Sequence, residues 1–398
     1  MKPVVLSATG YSVPDHSITN QELVTSFNQY VDLQNQKMRT NQLSGNAENT
    51  TIQPPESQKT IKALGPIGPE PIQPLLYSSA EFIKKASGIE HRYVIDKEGI
   101  LDIQHMRPRI QQRPDHLPSI QCELATKAAI DALARANISH KEVDFLLVAS
   151  SVTERSYPAM SIEIQHALGI EGFAFDMNAA CASATFGIQT ALHTIQQGNA
   201  RTVLMVNPEI CSAHVNFKDR DSHFIFGDAC TAVVIQAEEY CKSQHPFRIL
   251  GSQLQTQFSN NIRNNFGILT PLDSANRDSR DKQFMQQGRK VFKEVIPWVS
   301  EVVLNHLEKK GIDRKQLKRL WLHQANANMN RLIATKILER EPEFLEAPTI
   351  LEEFANTSSP GSIIAFHKYH EDLRSKDIGL LCAFGAGYSV GNIILQKL

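Results

Sequence analysis

The chain has 398 residues, 41% of them hydrophobic, so it can bury a large core and has the length of two domains or one large double domain. Lys and Arg number 41 against 42 Asp and Glu, a net charge of −1, which argues against wholesale nucleic-acid binding while leaving room for a local basic patch facing an acidic partner. The opening Met1-Lys2-Pro3-Val4-Val5-Leu6 lacks a signal peptide's long apolar segment and no run of ~18 apolar residues predicts a membrane span, so a reducing, cytoplasmic setting is expected.

In chain order, Gln29 to Tyr77 is rich in Gln, Asn and Pro, with little apolar periodicity. It reads as a long surface excursion, either a tolerated insertion or a lid facing the substrate. Asn137 to Ala149 reads as a helix end, a turn and a buried strand. Phe175 to Gly187 carries an apolar stretch into a helical one, in which Thr185, Ile188, Leu192 and Ile195 recur at three- and four-residue steps before Gly198. Cys181 is then expected in the first helical turn, among Ala179, Ala180, Ala182 and Ser183. There, unpaired N–H groups and the positive end of the helix dipole favour a thiolate, and a thiol of pKa ~8.5 can fall to roughly 3.5–7.5. Taken alone, Cys181 reads equally as an inert core thiol. Cys122, Cys211, Cys230, Cys241 and Cys382 show no C-x-x-C spacing, so neither a zinc site nor a redox dithiol is suggested, and Cys382 reads as core. His367 and His370 have no third ligand nearby and read as a solvated helix face.

Two segments resemble each other at an offset of 174 residues: Asn137 to Ala149, and Gly311 to His323. A second pair, Val203 to Val206 and Leu380 to Ala383, lies at an offset of 177. Each ends in a continuous apolar run, which suits parallel strands covered on both faces. A duplicated βα unit follows, with an α/β fold in two halves, 1–245 and 246–398. Under these offsets Cys181 falls opposite Ser358, beside Asn356, and His323 falls opposite Ala149. Cys181, His323 and Asn356 are thus expected at strand–helix junctions, where α/β sheets collect their sites.

Four ordered motifs complete a pattern: the Cys181 segment; Trp321-Leu322-His323-Gln324-Ala325-Asn326; Phe354-Ala355-Asn356-Thr357-Ser358-Ser359; and Ala383-Phe384-Gly385-Ala386-Gly387-Tyr388. With Ala86-Ser87-Gly88-Ile89-Glu90-His91-Arg92 and Phe224-Ile225-Phe226-Gly227-Asp228-Ala229, the chain resembles the 3-oxoacyl-[acyl-carrier-protein] synthase III family of the thiolase superfamily, over nearly its whole length apart from 29–77. The resemblance implies a five-layered α-β-α-β-α fold that forms a homodimer, and decarboxylative condensation of an acyl-CoA with malonyl-[acyl-carrier-protein], with no cofactor or metal. It implies that Cys181 accepts the acyl group, that His323 and Asn356 serve the decarboxylation, and that the Gly385-Ala386-Gly387 loop offers an amide to an oxyanion. Asparagine at the third catalytic position points to a priming synthase and a CoA-linked primer.

Substrate-binding positions carry over less completely. Where the family usually has a tryptophan and an arginine that grip the CoA adenine, this sequence has Phe82 and Ala86, with Lys84 and Lys85 beside them. Asn328 replaces an arginine often found after the His-Gln-Ala-Asn motif, with Arg331 near. Lys293 matches a basic position facing the carrier protein, and Tyr157 an aromatic position limiting the acyl pocket across the dimer interface. The altered CoA-grip positions and the 29–77 insertion suggest a primer longer than acetyl. A related synthase making a secondary metabolite of ketide or quinolone type is the alternative within the superfamily. Outside it stand a papain-like protease, which the long stretch before Cys181 disfavours, and an inactive scaffold retaining the nominal catalytic residues.

Overall fold

The computed structural model describes residues 2–43, 74–114, 116–264 and 282–398. The chain opens with β1 (Val4–Ser12), β2 (His16–Thr19), α1 (Asn20–Leu43), α2 (Ala80–Ser87), β3 (His91–Val94) and α3 (Lys97–Leu101). There follow α4 (Ile120–Ala136), β4 (Phe145–Ala149), α5 (Met160–Leu168), β5 (Phe173–Met177), α6 (Ser183–Gln196), β6 (Thr202–Glu209) and β7 (Ala229–Ala237). The remainder comprises β8 (Phe247–Ser259), β9 (Ile262–Arg263), β10 (Met285–Gln286), α7 (Gly288–Lys309), β11 (Leu317–Leu322), α8 (Ala327–Leu338), α9 (Leu351–Phe354), α10 (Pro360–Lys368), β12 (Ile378–Gly385) and β13 (Gly387–Lys397).

Nine strands join in the order β11-β12-β13-β8-β1-β7-β6-β4-β5. At the centre β1 meets β8 through two residue pairs, Val5 with Arg248 and Leu6 with Phe247. Outward from this seam the two sides repeat one pattern. β1/β7 and β7/β6 are antiparallel and β6/β4 is parallel; β8/β13 and β13/β12 are antiparallel and β12/β11 is parallel. The first side adds β5, parallel to β4, as its edge.

Helices α6 and α10 occupy the layer between the two sides. Ala184, Ile188 and Ile195 of α6 and Ile363, Ile364 and Phe366 of α10 share one buried cluster with residues of β4, β6, β7 and β12. Helix α10 is buried from Pro360 through Phe366, as a helix covered on every side must be. α4 and α5 cover the outer face of the first side, and α7 and α8 that of the second. The layers run α-β-α-β-α. Before β4 and before β11 lies the same device, a 3-10 turn closed by a reciprocal capping box: Ser139 with Glu142, and Asp313 with Gln316.

Two expectations need correction. The excursion expected from Gln29 does not begin there, because α1 is continuous to Leu43. Leu23, Phe27 and Val31 recur at four-residue steps and are buried. Asn35, within the expected excursion, and Asn28, just before it, each pair both ways with the backbone of the returning chain, at Leu75 (3.1 and 2.8 Å) and Ser78 (3.1 and 2.9 Å). Residues 44–73 of the expected excursion lie outside the described residues. His367 and His370 do not form a solvated face. The His370 ring is buried and stacks on Phe366 at 4.7 Å, and His367 Nδ1 lies 2.9 Å from Thr9 Oγ1. At this end of α10 it is Lys368 that faces solvent, while both histidines turn to neighbouring side chains.

Candidate active site

The chain leaves β5 through a tight turn before α6. Asn178 Oδ1 accepts from the Ala180 N–H (2.8 Å), and its Nδ2 donates to the Ser151 carbonyl (2.8 Å). Ser183 Oγ accepts from the Ala179 N–H (2.9 Å) and donates to the Ala180 carbonyl (2.6 Å). These bonds hold Ala180 at φ 50°, a left-handed conformation unusual for a residue with a Cβ, and present Cys181 at the tip. Helix α6 starts at Ser183 with Ala182 as N-cap. Cys181 therefore precedes the first turn instead of lying in it.

Burial pushes the Cys181 thiol up to about 11, and the Glu209 carboxylate pushes in the same direction. The Ser358 hydroxyl, 3.4 Å from Sγ, and the N–H groups of Cys181 and Ala386 pull partly back. The depressed pKa expected from the helix dipole is not what the site produces, because desolvation outweighs it. A Cβ on Gly385 would stand 2.6 Å from Cys181 Cβ and 3.1 Å from Sγ, so glycine is required for this strand to reach the sulfur.

His323 follows β11. Its N–H donates to the Cys382 carbonyl (2.7 Å), and its ring meets Phe384 edge-on at 5.2 Å. It is 2% exposed, and burial lowers its pKa to about 3, which leaves a neutral imidazole. Nδ1 has no hydrogen-bond partner. A proton there would bury an unsatisfied donor at a cost of ~1–3 kcal/mol, so the proton belongs on Nε2.

Asn356 is fixed by its backbone and its amide together. Its N–H donates to the Ile225 carbonyl (3.0 Å), its carbonyl accepts from the Gly227 N–H (3.1 Å), and its Oδ1 accepts from the Ser358 N–H (2.9 Å). With Oδ1 engaged, Nδ2 is the group left to donate outward. The Phe224–Ala229 motif supplies this seat: a Cβ on Gly227 would lie 2.4 Å from the Phe354 carbonyl oxygen. Arg92, fully buried, braces the same region through the carbonyls of Ile18 (3.1 Å) and Phe224 (3.4 Å) and Asn20 Oδ1 (2.6 Å). Gln324 ties the chain leading to Asn356, donating to the Leu322 carbonyl (2.7 Å) and accepting from the Ile350 N–H (2.9 Å).

The three residues converge through shared neighbours. Phe384 touches His323, Gly385 and Ala386 approach Cys181, and Ser358, two residues beyond Asn356, contacts Cys181 Sγ. Phe82 meets Phe224 of the motif that seats Asn356, edge-on at 6.0 Å. The Arg220 guanidinium lies 4.2 Å over the Phe82 ring, a partner that sequence reasoning missed. Tyr157 is 85% exposed, and Lys293 is exposed on α7 with Arg289 and Lys290. Asn328 Nδ2 donates to the Lys85 carbonyl (3.4 Å), and Arg331 pairs with Glu341 (3.0 Å). Glu209 also went unnoticed. It ends β6, is 1% exposed, and accepts from the Ser151 N–H (2.7 Å), Ser151 Oγ (2.6 Å) and Ser359 Oγ (2.6 Å). Among the described residues no group of His, Cys, Asp and Glu could hold a metal ion, and no helix is long and apolar enough to cross a membrane.

Residues 175–257 match the family profile described as 3-Oxoacyl-[acyl-carrier-protein (ACP)] synthase III, and residues 307–397 match its C-terminal counterpart. A beta-ketodecanoyl-[acyl-carrier-protein] synthase of Pseudomonas aeruginosa is 55% identical over 326 residues, covering 82% of this chain and 93% of that protein. The beta-ketoacyl-[acyl-carrier-protein] synthase III of Agrobacterium fabrum is 28% identical over 330 residues, covering 82% and 93%. The crystal structure of 3-oxoacyl-[acyl-carrier-protein] synthase III from Aquifex aeolicus matches with a TM-score of 0.71 at 21% identity, covering 99% of both chains, so the fold is thiolase-like. The duplicated sheet, the Cys181 turn and this likeness along four fifths of the sequence agree: the chain belongs to the 3-oxoacyl-[acyl-carrier-protein] synthase III family.

Proposed function

We propose that the protein condenses an acyl-CoA primer longer than acetyl with malonyl-[acyl-carrier-protein], giving a 3-oxoacyl-[acyl-carrier-protein], carbon dioxide and CoA, and so initiates fatty acid synthesis. The observation that carries this reading is the convergence of Cys181 with the Asn356–Ser358 turn and the Gly385–Ala386 strand end. Primer length is supported by the 55% identity to a protein named for a ten-carbon product, since a two-carbon extension giving ten carbons starts from eight.

Cys181 sulfur attacks the acyl thioester and stores the acyl group while CoA leaves. Malonyl thioester then loses carbon dioxide, and the enolate oxygen is received by His323 Nε2–H and Asn356 Nδ2–H. The carbanion attacks the acyl-Cys181 carbonyl, whose oxyanion is held by the N–H groups of Cys181 and Ala386. Phe82 with Arg220 forms a platform for CoA, and Lys293 with its basic neighbours meets the acidic carrier protein. The halves, 1–245 and 246–398, contribute Cys181 and the His323–Asn356 pair respectively. Edge strand β5, with Phe173 and Phe175 exposed, and nearby Tyr157 form the homodimer contact. The setting is cytoplasmic.

Incubation with C2 to C12 acyl-CoAs, read by intact-protein mass spectrometry, tests the assignment. An adduct on Cys181 that is strongest at intermediate chain length is expected. Cys181→Ala loses acylation but keeps malonyl decarboxylation, whereas His323→Ala and Asn356→Ala accept the acyl group and lose roughly 10²–10³ in decarboxylation rate. An adduct on another residue refutes the role of Cys181.

A further inference from the structure

An unbroken chain of hydrogen-bonding groups runs from the nucleophile to a buried acid. Ser358 Oγ lies 3.4 Å from Cys181 Sγ and 3.2 Å from Ser151 Oγ, and Ser151 Oγ lies 2.6 Å from Glu209 Oε2. Ser358 is 2% exposed and Glu209 1%. A single hydroxyl proton on each serine can point the same way, so that S–H donates to Ser358, Ser358 to Ser151, and Ser151 to the carboxylate. The carboxylate is oriented for this. Oε1 takes the Ser151 N–H and the Ser359 hydroxyl, and Oε2 takes the Ser151 hydroxyl, the last link of the relay.

We propose that Glu209 is a catalytic base at one remove, a positioning and proton-accepting residue that draws the thiol proton of Cys181 through Ser358 and Ser151. The S–H bond breaks as its proton bonds to Ser358 Oγ, the Ser358 proton moves to Ser151 Oγ, and the Ser151 proton moves to Glu209 Oε2. Both serines end as neutral alcohols, and the negative charge that the carboxylate surrenders appears on sulfur. That charge departs with the CoA thiolate once the acyl group is transferred.

Electrostatics gives the relay its purpose. A thiolate beside an ionised Glu209 places two anions in one dry site, and each raises the cost of the other. Transfer of the proton keeps the site at one negative charge throughout. The other titratable groups facing Glu209 are the thiols of Cys211 and Cys230, both pushed up by burial, and Cys211 also faces Asp228. Asp228 is tied separately, to the Ser212 N–H (2.7 Å), Ser212 Oγ (2.6 Å) and the Ile95 N–H (2.9 Å). The Ser358–Ser151 separation is the long O–H···O step, and it must shorten by a few tenths of an ångström for transfer.

This deepens the proposed function, because it rests on Cys181 as nucleophile. The test is the pH profile of Cys181 alkylation by iodoacetamide in the whole protein without CoA thioester, read on the Cys181 peptide for wild type, Glu209→Gln, Ser151→Ala and Ser151→Thr. Relay predicts that Glu209→Gln and Ser151→Ala both slow alkylation at pH 7 by roughly 10²-fold, with Ser151→Thr restoring it. A carboxylate acting only as a fixed charge predicts the opposite sign: Glu209→Gln speeds alkylation, because repulsion of the thiolate is removed. Acceleration or no change in Glu209→Gln, or an unaffected Ser151→Ala, overturns the relay. Should Glu209→Gln not fold by circular dichroism, Ser151→Ala decides alone. Wild-type loading by octanoyl-CoA separates the two readings: an adduct away from Cys181 sinks the nucleophile, while loading at Cys181 with unaltered serine variants sinks the relay alone.

Discussion

Burial holds His323 as a neutral imidazole, and that state has a measurable signature. With a folded pKa of about 3 against ~6.5 in the unfolded chain, unfolding takes up a proton below ~6.5, so stability from this residue falls as pH drops toward 3. Asp228, raised by burial to about 6, acts in the opposite sense between ~3.9 and 6, and His223 and His367, lowered by burial to about 3 and about 4, act in the same sense as His323, so the wild-type curve alone mixes them. The difference isolates His323: the stability gap between wild type and His323→Asn, from urea midpoints, should narrow by ~1 kcal/mol between pH 7 and pH 5.5. A gap independent of pH contradicts a neutral, buried His323. At this scale the sequence was legible where a motif fixes a residue's place: the Cys181 turn, the end of β11 at His323 and the Asn356–Ser358 turn come to neighbouring positions, through Ser358 and Gly385 at Cys181 and Phe384 at His323. It was not legible where burial decides. The helix start that favours a low-pKa thiol at Cys181 is local and visible, whereas the burial that raises it depends on segments as distant as Gly385, about two hundred residues away, packing against the cysteine. Glu209 gives no signal in the sequence, because nothing near it in the chain shows that Ser151 and Ser359 will enclose it.

Helices show the same division between local and distant information. The apolar repeat of α6 marked it correctly, since Ile188 and Ile195 face a core that any amphipathic pattern would predict. α10 defeated that logic because it is buried from Pro360 through Phe366, and of the residues at its end Lys368 is exposed while the two histidines pack against Phe366 and Thr9. In α7, Arg289, Lys290 and Lys293 lie exposed on the first two turns. Reversing the three to Glu should raise the KM for malonyl-[acyl-carrier-protein] at least ~10-fold, through loss of charge complementarity, while leaving acyl-CoA loading of Cys181 within about twofold. Equal loss in both half-reactions would show that α7 serves the fold and not the carrier protein.

At the scale of the whole molecule the duplication was legible because buried parallel strands keep their apolar runs even when letter identity is lost. The site depends on the seam between the two sides, since Ser358 and Gly385 reach Cys181 from the far side of it. The paired amides of Asn28 and Asn35 have a different consequence. They fasten the returning residues 75–78 to α1 through side-chain amides bonded to backbone groups, and the Tyr77 hydroxyl adds a bond to Asp32 Oδ1. From Asn35 to Leu43 is a little over two turns, about 12 Å, and closing a longer loop costs only ~0.6 kcal/mol for each doubling of length. The two asparagines therefore act as a clasp that holds the returning chain to α1. Replacing both with alanine leaves the backbone groups of Leu75 and Ser78 without these partners and should lower the melting temperature by roughly 3 °C or more by calorimetry, whereas an unchanged melting temperature would show that packing alone seats this stretch.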